Sequence, residues 1–189
     1  MPARPDTSEW RPDAREGAWW TLVSLVLVVV GLVLFSLPLF LRSKPADIQL
    51  APKDVAVLAV LTATLIVLHE GIHGIVMRTF GARPFFGVSM AAKIVPALYT
   101  TAPGYRFSRL QYLAVSLTPA IAISLVGFAV SFSAAGPFLF VPLALHLGGC
   151  AGDAAATWQV LRQPRGTIYE DLRDGIRFHR PSPGGVSIT

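Results

Sequence analysis

"LHEGIHGIVM", residues 68–77, places two histidines and a glutamate inside a run that otherwise reads as membrane helix. An unpaired polar group in hydrocarbon costs several kcal/mol, so three of them on adjoining turns need either partners or a ligand. What surrounds the stretch decides the fold, and what it can bind decides the chemistry.

The chain has 189 residues, of which 53% are hydrophobic, too apolar for an ordinary soluble domain. Four apolar runs, at 20–41, 55–80, 110–132 and 138–161, each have about the 20 residues that cross ~30 Å of hydrocarbon as a helix. The last two are separated by the turn signal Ala134-Ala135-Gly136-Pro137. The first run is too long for the apolar core of a cleaved signal peptide and reads as retained. The expected fold is therefore an all-α polytopic membrane protein with about four transmembrane helices. A flexible cytoplasmic arm at 1–19, one transmembrane domain at 20–161 and a cytoplasmic tail at 162–189, disordered towards its end, complete the expected layout.

The segment 81–109 breaks the pattern. It is apolar but interrupted by Pro84, Pro96 and Pro103, and its pieces 85–90 and 94–100 have strand length and composition. A short re-entrant or interfacial β-like loop between helices 2 and 3 is expected. It is either a plain interfacial loop or an edge along which an extended segment pairs.

Net charge is +5, with 16 Lys and Arg against 11 Asp and Glu. Their distribution explains the excess better than nucleic acid does. The N-terminal arm, the second loop and the tail hold 3, 5 and 5 basic residues, and the first loop holds 3. By the positive-inside rule both termini are cytoplasmic, with the lipid bilayer as partner and no nucleic acid. The single cysteine, Cys150, excludes an intramolecular disulfide and a cysteine-cluster metal site.

Within the four spans the acidic residues are Glu70 and Asp153. Intramembrane ionisable groups mark function by default. His69-Glu70-Gly71-Ile72-His73 fits H-E-x-x-H: on a helix, i and i+4 share a face, so His69 and His73 can converge on one Zn2+. Glu70 projects about 100° round the helix, beside the open coordination position, where it can act as general base towards a zinc-bound water. Asp153 is the candidate third ligand: counted from Arg78 and Arg162, Glu70 and Asp153 lie about 12 to 14 Å in from the same end of their helices. A partner role behind a histidine and a structural pairing remain open for it. His146 lies two turns from Asp153, about 10 Å deeper, too far to share the metal unless the helix is broken, and is expected to support the ligands or the packing. Gly149 and Gly152, like Gly148, are expected to let helices approach the site closely. Pro119 is expected to kink the third helix, its freed carbonyl being met by nearby hydroxyls or by a neighbour.

HEGIHG (69–74), SLTP (116–119), GCAGD (149–153) and GTIYED (166–171) together resemble the putative zincin peptidases, small prokaryotic membrane metalloproteases that are similar to site-2 intramembrane zinc proteases. The resemblance runs over about residues 60 to 180. It implies a zinc-dependent peptidase, integral to a prokaryotic plasma membrane, acting in or near the bilayer on a membrane protein or peptide. It also implies His69, His73 and Asp153 as ligands and Glu70 as base. Gly152-Asp153-Ala154 lacks the proline and following glycine that site-2 proteases usually carry at the third ligand. Two other classes stand beside this reading: a catalytically silent membrane regulator that retains the site, and a metal or ion transporter using the same residues as a pathway.

Overall fold

A computed structural model describes residues 6–41, 51–91 and 95–181. In chain order the elements are β1 (Asp6–Trp10), α1 (Ala14–Phe40), α2 (Pro52–Thr79), β2 (Phe85–Ala91), β3 (Val95–Thr101), β4 (Arg106–Phe107), α3 (Arg109–Val130), α4 (Gly136–Gly149), α5 (Ala151–Arg162), β5 (Ile168–Leu172) and β6 (Gly175–Arg180). The helices have identifiable starts. Asp13 caps α1 by accepting from the Glu16 N–H at 2.8 Å, and Ser108 with Gln111 forms a capping box at α3.

Four helical segments are long and apolar enough to cross a membrane: α1, α2, α3, and α4 with α5 taken together. Leu25, Val29, Val33, Val60 and Val67 are exposed, a pattern that suits helices long and apolar enough to meet lipid. Close contact between α1 and α4 depends on missing side chains. A Cβ on Gly31 would lie 2.7 Å from the Ala144 Cα, and one on Gly148 would lie 2.4 Å from Val28 Cγ2. The fourth crossing is two helices joined at Cys150, whose ψ of 0° departs from the helical value, rather than the single helix expected over 138–161.

The fold is not all-α. β2 and β3 form the expected antiparallel hairpin, with Phe86 opposite Thr100 and Gly87 opposite Tyr99. Beyond that, a four-stranded antiparallel sheet in the order β1-β6-β5-β4 joins residues 6–10 to the tail. The two ends of the described chain thus meet in one layer, with residues 6–10 of the expected flexible arm at 1–19 forming its edge strand. Alternation explains the tail strands: Tyr169, Ile176 and Phe178 point inward among charged neighbours and pack with Phe107, Tyr112 and Val160. Their outer face is tied by Arg177, which pairs with Glu9 at 2.7 Å and Glu170 at 2.9 Å. The hydrogen-bonded guanidinium holds the Glu9 carboxyl below its usual range. The expected disorder at the extreme C-terminus falls on 182–189, outside the described residues.

Gly31→Val tests the helix packing. It should lower the melting temperature in detergent through overpacking of about 1 to 3 kcal/mol, whereas Gly17→Ala, with nothing within 4 Å of its Cβ, should not. Equal melting of the two variants would contradict the α1–α4 contact.

Candidate metal centre

The site forms where α2, α3 and α5 meet below the sheet. His69 and His73 lie one turn apart on α2, and the Nε2 atoms of the two rings stand 3.0 Å apart. Asp153, near the start of α5, places Oδ2 3.1 Å from His69 Nε2 and Oδ1 3.3 Å from His73 Nε2. Glu70 offers a carboxylate oxygen within 4.8 Å of both histidines. Among the described residues its carboxylate makes no hydrogen bond or ion pair with another side chain.

Each histidine is held from behind. His73 Nδ1 lies 2.9 Å from the Val115 carbonyl, which can only accept, so the proton is on Nδ1 and the lone pair of Nε2 points into the site. That carbonyl is available because of Pro119. In a regular helix the N–H of residue 119 would bond the carbonyl of residue 115, and proline has no N–H. Pro119 sits inside α3, and the orphaned acceptor is taken by His73 rather than by Ser116 or Thr118, whose hydroxyl donates to Ala114 at 2.6 Å. On the other ring, His69 Nδ1 lies 3.0 Å from Nε2 of His146, which is 6% exposed and whose own Nδ1 has no partner among the described residues. His146 therefore stands behind His69 and not at the metal-facing nitrogens. Cys150 donates to the His146 carbonyl at 3.2 Å.

The donor set fits zinc. Ligand atoms at ~2.0 to 2.1 Å from a tetrahedral ion are roughly 3.3 Å from each other, close to the three separations found here. Nitrogen lone pairs and a carboxylate face to face at such distances repel unless positive charge lies between them, which either a proton on one imidazole or a divalent cation supplies. His69, His73 and Asp153 border a cavity of about 770 Å³ that is also lined by Glu70, Tyr99, Thr100, Tyr112, Asp171 and Arg173. Gly149 and Gly152 border this cavity with nothing within 4 Å of their Cβ positions, so they leave space beside the site and do not bring helices together. Gly148 is the glycine in close helix contact. The Thr100 hydroxyl bonds the Glu70 carbonyl at 3.1 Å and ties β3 to the histidine helix.

Two cavity residues, Tyr112 and Asp171, were not anticipated. Tyr112 gave no signal in an apolar helix, and Asp171 reads as one more acid in a charged tail. Only the alternation of the tail strands could have shown which of its acids turns inward.

Residues 62–168 match the family model described as "Putative zincin peptidase". Among curated proteins, an uncharacterized 24.7 kDa protein in the gap 5′ region of Pyrococcus woesei is 26% identical over 131 residues, 65% of this chain and 56% of that protein. The chain spans about half the length of that relative. No solved structure matches.

Pro119→Ala tests the freed carbonyl. The restored N–H would compete with His73 for Val115, and zinc affinity should fall ~3- to 10-fold while helix content and melting temperature hold or rise. Unchanged zinc affinity would contradict the role given to Val115.

Proposed function

The chain belongs to the putative zincin peptidase family, and on that premise we propose that it is a zinc metallopeptidase hydrolysing a peptide bond within or beside the membrane. The observation that carries this reading is the convergence of His69 Nε2, His73 Nε2 and Asp153 within 3.0 to 3.3 Å of one another, beside an unengaged Glu70. His69, His73 and Asp153 are the proposed ligands, and three protein ligands with an open fourth position are the pattern of catalytic rather than structural zinc. Bound there, zinc would lower the pKa of water towards ~7 and polarise a substrate carbonyl.

Glu70 is the proposed general base. It lies on the cavity side of α2, has no competing partner, and can take a proton from attacking water and deliver it to the leaving amine. His146 accepts from His69 Nδ1, as Val115 does from His73, so that both rings present Nε2 lone pairs. The substrate must be locally extended, because a helix hides its backbone in its own hydrogen bonds. β3 borders the cavity through Tyr99 and Thr100 and is the proposed edge for pairing with it. The proposed compartmental layout follows from charge: the sheet, which carries both ends of the described chain, is assigned to the cytoplasmic face, with the substrate a membrane protein or peptide reached from that side.

Glu70→Gln should keep zinc at the wild-type level and lower hydrolysis of a quenched-fluorescent peptide library by roughly 10²- to 10⁴-fold. Replacing the β2–β3 hairpin by a short Gly-Ser link should likewise remove hydrolysis with zinc retained. Full activity in Glu70→Gln would exclude Glu70 as the base.

A further inference from the structure

Asp171 is a costly residue where it stands. It lies at the inner side of β5 beside an aromatic cluster, and burial pushes its carboxyl up to about 6, against the lowering effect of a hydrogen bond from Tyr112. The Tyr112 hydroxyl donates to Asp171 Oδ1 at 2.8 Å. Tyr112 is 4% exposed and its ring packs against Phe107 and Tyr169. An apolar pair would anchor the tail hairpin to α3 at lower cost, so tethering alone does not account for a half-buried carboxylate here. The hairpin is in any case held elsewhere: Thr101 donates to the Asp171 carbonyl at 3.0 Å, and Tyr169 donates to Val160 at 3.1 Å.

Position gives the pair a use. Tyr112 and Asp171 line the same cavity as His69, Glu70, His73 and Asp153. Tyr112 is also one turn before Val115, the residue that holds His73, so the phenol sits on the face of α3 turned to the metal centre. A hydroxyl whose proton is engaged by a carboxylate keeps only lone pairs for other partners, and the polarised oxygen is a better acceptor than a free phenol. An extended peptide in the cavity brings backbone N–H groups that need acceptors.

We propose that Tyr112 is a substrate-contacting residue whose Oη accepts a backbone N–H of the bound peptide, and that Asp171 is the positioning residue that fixes the phenol as an acceptor. The assignment rests on the peptidase reading above and names the backbone amide as the feature recognised. The Tyr112 hydroxyl donates to Asp171 Oδ1, which is the direction the arrangement requires.

The test uses the full zinc-loaded chain in detergent and three probes followed by calorimetry: acetohydroxamate, a dipeptide hydroxamate, and the same dipeptide N-methylated at its internal amide. Wild type should bind the N–H dipeptide roughly tenfold more tightly than the N-methyl one. Tyr112→Phe should bring that ratio close to one with zinc content and acetohydroxamate affinity unchanged, and Asp171→Asn should lower it part of the way. Tyr105→Phe loses a hydroxyl that bonds the Phe80 carbonyl away from the cavity, and should keep the wild-type ratio. A ratio preserved in both Tyr112→Phe and Asp171→Asn, or absent from wild type while acetohydroxamate still binds, would overturn the proposal alone. If zinc-loaded wild type bound none of the probes, the peptidase reading would fall and the proposal with it.

Discussion

Three side chains, His69, His73 and Asp153, bring two ring nitrogens and two carboxylate oxygens to separations of 3.0 to 3.3 Å in the wall of an apolar helix bundle, and α2 and α5 hold them there. Such a cluster is unfavourable by itself in a medium that screens charge poorly. It becomes favourable around a cation. The surrounding contacts suit the proposed binding site, since the far nitrogen of each imidazole lies within hydrogen-bond distance of a partner, His146 Nε2 for His69 and the Val115 carbonyl for His73. For His73 that acceptor exists because Pro119 removes one donor from α3, so a residue that weakens a helix strengthens the placement of a side chain on its neighbour.

The sheet explains why the two ends of the chain matter to a site in its middle. β5 and β6 bring Asp171 and Arg173 to the cavity, and β1, paired along β6, brings Trp10. The hairpin β2–β3 approaches from the other side and is fastened to α2 by Thr100. The cavity is therefore lined by both helices and strands, with His69, His73 and Asp153 in its wall.

Much of the helical part was legible because apolar length is a strong signal: a run of some 20 residues without charge has few alternatives to a spanning helix. HEGIH was legible because a metal needs ligands on one helical face, and spacing alone meets that need. Asp153 stood out as an acid in an apolar span. The four-stranded sheet was harder to see: β1 is five residues long, and its partner β6 lies some 165 residues away in the chain, so no local pattern joins them. In the tail, charged residues on the outer face obscured the buried alternation of Tyr169, Ile176 and Phe178. The function of Pro119 required the neighbour: a proline in a membrane helix announces a free carbonyl, but only the packing of α2 on α3 shows which donor takes it.

The central claim is that His69, His73 and Asp153 hold one zinc ion, and the most direct measurement is zinc per protomer in the detergent-purified protein beside His73→Ala and Asp153→Ala. The account predicts one zinc in the wild type and loss or marked weakening in both variants, with each variant still folded. No zinc in a folded wild type, or undiminished zinc in both variants, would contradict it.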